Sequence, residues 1–310
     1  MNSPAKPASP NIIEVHKLVK RYDTLNAVNG ISFTVRRGAV FAFLGANGAG
    51  KSTTINCLTT VLPPTAGNLQ VNGHKIGQDD DKIRRSIGVV FQQSVLDPLL
   101  TVQENLELRA IVYGPDHQAK ARIQELSATI GLGDILHQRY GTLSIGQKRR
   151  ADIVRALLHQ PEILFLDEPT AGMDPESRER VWQTVYDLQT ATGLTVFLTT
   201  HYMEETERAD EVCILSKGTI VAQGTPSELR SQYSRDVLRV TAHKASSVLA
   251  QAERYKMTAQ QKGNDIFIST DSSQDALRFL KDIETDISDF EFRHGTMDDV
   301  FLELIGRGEQ

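Results

Sequence analysis

Glycines at positions 45, 48 and 50, followed at once by Lys51 and Ser52, constrain this chain more than any other feature. The run Gly45-Ala46-Asn47-Gly48-Ala49-Gly50-Lys51-Ser52 fits the pattern G-x-x-x-x-G-K-[ST]. It stands between the apolar segment AVFAFL (39–44) and a stretch of helical character. Glycines let a backbone wrap closely enough for N–H groups to cradle phosphate oxygens, and the following helix turns its positive end toward the same anion. In such a loop Lys51 reaches the β- and γ-phosphates of a nucleoside triphosphate, Ser52 offers its hydroxyl to Mg2+, and Thr53 contacts the α-phosphate. The placement predicts a phosphate-binding turn in an α/β domain.

Residues 11–224 carry the rhythm of such a domain, with short runs rich in Val, Ile, Leu and Phe alternating with amphipathic stretches. AVFAFL, SIGVVF (86–91), EILFLD (162–167), LTVFLTT (194–200) and EVCILS (211–216) read as inner strands of a mostly parallel sheet. NIIEVHKLVK (11–20), ISFTVRRG (31–38) and GNLQVNG (67–73) alternate more and suit a small antiparallel sheet. From about 95 to 160 helical spacing replaces the strand signal, which predicts a helical insertion ending at Pro161. Asp174-Pro175-Glu176 caps a further helix running to about Ala191. After Gly224 the texture changes. Residues 226–235 read as a connector, and 236–310 as an accessory α+β domain of βαββαβ order, the ferredoxin-like pattern, with an extra closing helix. Residues 1–10, with three prolines and no apolar run, read as a flexible leader before a domain spanning 11–225.

A phosphate-binding loop needs a second anchor for its metal. Ile163-Leu164-Phe165-Leu166-Asp167-Glu168-Pro169 supplies an apolar strand ending in two carboxylates. Asp167 suits Mg2+, and Glu168, turned to the other side of the extended chain, suits a water attacking the γ-phosphate. Other classes are disfavoured. No Asn is followed by Lys, so the guanine-reading NKxD motif is absent, and 34 basic against 39 acidic side chains give no chain-wide basic field for nucleic acid. Two cysteines, Cys57 and Cys213, fall short of a disulfide framework and predict a reducing compartment, and no apolar run is long enough to span a bilayer.

Leu143-Ser144-Ile145-Gly146-Gln147 resembles the LSGGQ signature of the ATP-binding cassette (ABC) family. Residues 11 to about 225 resemble one complete ABC nucleotide-binding domain, with its motifs in family order. The resemblance implies a P-loop NTPase fold with a mostly parallel core sheet, an antiparallel β subdomain and a helical insertion. It implies ATP and Mg2+ as ligands. It assigns Tyr22 to the loop stacking on adenine, Gln92 of VVFQQ to the loop that senses Mg2+ and the attacking water, Asp174 of AGMD to the loop crossing a dimer interface, and His201 of LTTHYMEE to the γ-phosphate switch. Independently of the family, Ser144 with Gln147 three residues later is a capping box, and a capped helix start near a glycine receives anions. In the family the signature, here Ser144, Gly146 and Gln147, faces the phosphate loop of a second subunit. Ile145 replaces its first glycine, so that side chain must point away from nucleotide. The adjacent Lys148-Arg149-Arg150 run reads as a solvated helix face.

A cassette without membrane spans implies the ATPase of a transporter, paired as a dimer with a separate transmembrane permease, on the cytoplasmic face of the membrane. Residues 97–106 lie where the family docks helices of that permease. Soluble ABC ATPases of translation or repair usually carry two cassettes or a long coiled coil, and neither is present, so no nucleic-acid partner is expected. The ending 296–306 (TMDDVFLELIG) resembles the C-terminal domain of cassettes from multidrug, antibiotic and polysaccharide exporters. An importer motor and a nucleic-acid-handling ATPase stand as the alternatives.

Overall fold

The apolar runs become strands whose side chains are buried on both faces, as the sheet between helices requires. The computed structural model describes residues 10–112 and 118–306. All but Pro10 of the expected leader, and Tyr113 and Gly114 at the end of an expected helix, lie outside them. The chain divides after Gln223 into two compact units.

The first unit opens with β1 (Asn11–Tyr22) and β2 (Leu25–Arg36), then β3 (Val40–Gly45), α1 (Lys51–Leu58), β4 (Ala66–Val71), β5 (His74–Lys75), α2 (Asp80–Ser86) and β6 (Ile87–Val90). The helical insertion follows as α3 (Val102–Val112), α4 (Gln118–Ile130) and α5 (Ile145–Leu157). Then come β7 (Ile163–Asp167), α6 (Pro175–Thr192), β8 (Thr195–Thr200), β9 (Glu211–Ser216) and β10 (Thr219–Gly224). One sheet has the order β2-β1-β4-β5 and is antiparallel; the other runs β10-β9-β3-β8-β7-β6. From β9 to β6 every pairing in the second sheet is parallel, so the carboxyl ends of five strands share one edge. That edge is where ligands bind in open parallel sheets. Register sets its details: Leu44 lies opposite Thr200, Asp167 opposite Thr199, and Val90 opposite Leu166.

The two sheets are joined by aromatic packing. Phe33 of β2 stacks on Phe41 of β3 at 5.5 Å between ring centroids, and Phe41 stacks on Phe197 of β8 at 5.3 Å. Such pairs add about 1 kcal/mol each beyond simple burial, and they hold β3 rigidly beneath the glycine loop.

Three elements were not foreseen. Helix α2 has one buried apolar side chain, Ile83, so it shows no apolar stripe. Acids Asp80 and Asp81 in its first turn and Arg84 and Arg85 in its last suit the helix dipole instead. The short β5 and the half-exposed β10 pair only along existing sheet edges.

The second unit begins with α7 (Pro226–Tyr233), capped by a Thr225–Glu228 box. It continues with β11 (Asp236–Ala242), α8 (Ala245–Arg254), β12 (Ala259–Lys262), β13 (Asp265–Thr270), α9 (Ser273–Ile283), β14 (Ile287–Arg293) and α10 (Met297–Gly306). The sheet order β12-β13-β11-β14, antiparallel throughout, is the ferredoxin-like one. Leu238, Val240, Ile266 and Ile268 form its buried face together with Val248 of α8 and Phe279 of α9. Helix α7, read from sequence as a connector, packs against α10. No helix among the described residues is long and apolar enough to cross a membrane.

Candidate active site

The chain leaves β3 at Gly45 and turns through the loop into α1. Gly50 has φ +106°, and a Cβ there would fall 2.5 Å from the Ala27 carbonyl oxygen, so glycine is required on both conformational and steric grounds. Lys51 is 4% exposed. Its ammonium donates to the carbonyls of Gly45 (2.7 Å) and Ala46 (3.2 Å) and forms an ion pair with Glu168 Oε1 at 3.3 Å. The ammonium is thus drawn back into the loop, where an entering phosphate would compete for it.

Asp167 ends β7 at the same sheet edge. Its Oδ1 accepts from Ser52 Oγ at 3.1 Å and from Thr199 Oγ1 at 2.6 Å. Glu168 follows with φ +46°, a left-handed conformation that costs an L-residue about 1–2 kcal/mol. Its N–H donates to both the carbonyl and the hydroxyl of Thr199, each at 3.1 Å, which holds the turn. The carboxylate aims back toward the loop. Oε1 meets Lys51, while Oε2 accepts from Gln92 Nε2 at 3.3 Å and lies 3.5 Å from His201 Nδ1. Gln92 comes just after β6 and His201 just after β8. Four strand ends therefore converge on one acid: a cation against one oxygen, an amide and an imidazole against the other. The His201 ring is further fixed by Tyr202, 4.1 Å between centroids, which carries the Arg178 guanidinium on its ring at 4.2 Å.

Ser144 N-caps α5. Its Oγ accepts from Gln147 N–H at 3.3 Å, and its own N–H donates to Gln147 Oε1 at 2.9 Å, completing the capping box. Asp174 N-caps α6 by accepting from Ser177 N–H at 2.9 Å, and hydrogen bonding from the Ser177 side chain, then from its backbone, holds the carboxyl below the ordinary aspartate range. A Cβ at Gly146 would meet Ser177 Cβ at 3.2 Å, so the starts of α5 and α6 lie together. Ile145 is 53% exposed. Tyr22, at the end of β1, is 42% exposed with Lys20 Nζ 5.3 Å from its ring centroid. The structure thus joins Lys51, Ser52, Asp167, Glu168, Gln92 and His201 in one polar network. It groups Ser144, Gly146, Gln147 and Asp174 at a second place, and leaves Tyr22 at a third.

Residues 28–171 match the family model for the ABC transporter, and residues 224–305 match the model for the C-terminal domain of DrrA1-3-like ATP-binding proteins. The chain is 38% identical over 306 residues to the daunorubicin/doxorubicin resistance ATP-binding protein DrrA of Streptomyces peucetius, covering 95% of this chain and 92% of that one. The chain belongs to the ABC transporter family. It is likewise 36% identical over 306 residues to the Nod factor export ATP-binding protein I of Ralstonia nicotianae, covering 96% and 95% of the two chains. Among solved structures, the dimeric post-hydrolysis state of the ABC protein MJ0796 bound to ADP and Pi is similar at TM-score 0.63 and 28% identity. That match covers 69% of this chain and 98% of that one. The present chain is an ATP-binding ABC ATPase, with an α/β cassette and a DrrA-type C-terminal unit.

Two features of the ABC site escaped the sequence. Thr199 bonds both Asp167 and Glu168, and the signal available was a pair of threonines closing an otherwise apolar strand. The basic run after the signature is a correction. Arg149 is 6% exposed and donates to the carbonyls of Phe91 (2.6 Å) and Gln92 (3.1 Å). Arg150 donates to Gly131 O at 2.8 Å and Lys148 to Gly141 O at 3.2 Å. These cations are spent on backbone carbonyls, Arg149 on the loop after β6 and Arg150 and Lys148 within the insertion, where oxygens outside helix and sheet ladders accept them.

Proposed function

We propose that this chain is the motor subunit of an ABC exporter, hydrolysing Mg2+-ATP at Glu168 within a dimer of cassettes. The observation that carries the reading is the convergence of Lys51, Gln92 and His201 on the Glu168 carboxylate, beside the Ser52–Asp167 pair. Ser52 Oγ and Asp167 Oδ1 are hard oxygen donors, the kind Mg2+ takes, and they already lie 3.1 Å apart. When bound there, the ion neutralises phosphate charge.

The chain's own groups then divide the work. The loop N–H groups and Lys51 hold the β- and γ-phosphates, and Thr53 the α-phosphate. Glu168 accepts a proton from the water that attacks the γ-phosphate, and the products are ADP and phosphate. Gln92 and His201 orient Glu168 and contact the reacting phosphate, with Gln92 also facing the Mg2+ position. Tyr22 stacks on adenine. Ser144, Gly146 and Gln147 of one subunit complete the nucleotide site of the other, with Asp174 at the interface between them.

A transmembrane permease in a separate chain takes the transported compound, and the cassette works on the cytoplasmic face of its membrane. Exposed Leu99, Leu108, Ile111 and Val112, after the Gln92 loop, give that permease an apolar surface. The residues beyond the cassette, 236–310 with the preceding helix, form the accessory module. Export of amphiphilic drugs, antibiotics or polymers is supported by full-length similarity to resistance and export subunits.

Inverted vesicles from the native host test the reading. External ATP should drive a labelled amphiphilic antibiotic inside when the wild-type chain is present, and not with Lys51→Ala. ATPase activity stimulated by RNA or ribosomes, with no accumulation in vesicles, would contradict it.

A further inference from the structure

Helix α5 begins at the Ser144 cap and then lies along residues 88–94, the segment that carries Gln92. Gly88 allows the close approach, because a Cβ there would sit 2.4 Å from the Ala156 carbonyl oxygen. Arg155 donates to Val89 O. One turn nearer the cap, Asp152 accepts from Ser94 Oγ at 2.7 Å and from Tyr140 OH at 3.2 Å. Arg149 donates to Phe91 O at 2.6 Å and Gln92 O at 3.1 Å. The helix therefore grips the backbone at Val89, Phe91 and Gln92 and the Ser94 hydroxyl just beyond.

The choice of residues is costly. Arg149 and Asp152 are both buried, and burial pushes the Arg149 guanidinium down and the Asp152 carboxyl up from their ordinary ranges. A buried ion used for helix stability alone is readily replaced by an apolar side chain. A planar guanidinium, however, can hold two successive carbonyls with fixed geometry, which an ammonium cannot. Gln92 is exposed, and its amide meets Glu168 at 3.3 Å only while its own backbone is held.

We infer that Arg149 and Asp152 are positioning residues for hydrolysis, acting through Gln92 by fixing the loop from which its amide reaches Glu168. The inference rests on the reading of Glu168 as the base. It goes beyond that reading by tying the Gln92 amide to the helix that starts at Ser144.

A double-mutant cycle tests it in the full-length chain. Arg149→Met should lower kcat about tenfold, since small misplacements near reacting groups have effects of this order or larger. Arg149→Lys, which keeps the charge but not the fork, should recover part of the loss. In a Gln92→Ala background, where the loop remains but the amide is gone, Arg149→Met should change kcat by less than about twofold. If Arg149→Met does not fold, Ser94→Ala takes its place in the cycle with the same expected pattern. Equal losses with and without the Gln92 side chain, or Gln92→Ala at the wild-type rate, overturn the inference. The assignment of the base is judged separately by Glu168→Gln: inactivity there, beside equal losses in the cycle, sinks the clamp and leaves the proposed function standing.

Discussion

Thr199 shows how much of the proposed catalytic arrangement hangs on a single hydroxyl. Parallel register sets it opposite Asp167, so its Oγ1 donates to that carboxylate while accepting from the Glu168 N–H. The same contact supports Glu168 in its left-handed conformation. Thr199→Val keeps the shape and β-branching but removes both bonds. It should cost about 1 kcal/mol of stability and about tenfold in kcat, with Thr199→Ser restoring most of each. Thermal melts and steady-state ATPase assays on purified chains check this, and an unchanged kcat for Thr199→Val would separate Thr199 from the site. Lys51, Ser52, Asp167 and Glu168 were legible in the sequence because each belongs to a contiguous motif whose spacing is dictated by phosphate and metal chemistry. Thr199 was not, because its role arises from register between β7 and β8, which lie far apart in the chain.

At the scale of elements, α5 was legible at its start and misread along its length. Ser144 and Gln147 announce the cap, and the structure contains both reciprocal bonds. The charges that follow look solvated in sequence. They face inward because the helix lies against a loop whose carbonyls lack ladder partners, and no local pattern reports such a neighbour. Helix α2 was lost for a related reason, with one apolar anchor in seven residues. The exposed start of α5 leads to a prediction about assembly. In a Glu168→Gln background at low salt, ATP should drive dimerisation of the cassette. Ser144→Arg, placing a bulky cation at the cap, should block the dimer while ATP still binds the monomer. Light scattering showing the same ATP-dependent dimer for Ser144→Arg would refute a nucleotide site shared between subunits.

At the scale of the whole molecule, the chain divides into two compact units between Gln223 and Gly224. The order of the later strands and helices could be read because each amphipathic segment is short and bounded by polar turns. The packing of α7 against α10 could not, since their sequences lie some seventy residues apart and their contact is purely tertiary. A chain ending at Gly224 keeps β10 whole and retains every member of the Glu168 network. It should bind ATP like the full chain while failing to support export in cells. Loss of ATP binding by that folded fragment, followed by fluorescent-nucleotide titration, would make the second unit part of the catalytic body.

The central claim is that one carboxylate, held by Lys51, Gln92 and His201, performs the chemistry of a phosphate-binding site that other residues build. The most direct measurement pairs nucleotide affinity with turnover in two variants. Glu168→Gln should bind Mg2+-ATP as tightly as wild type or tighter while turnover falls at least about a hundredfold, the scale of a lost general base. Lys51→Ala should instead weaken binding, because the cation serving the phosphates is gone. Wild-type turnover in Glu168→Gln, or unchanged affinity in Lys51→Ala, would contradict the account.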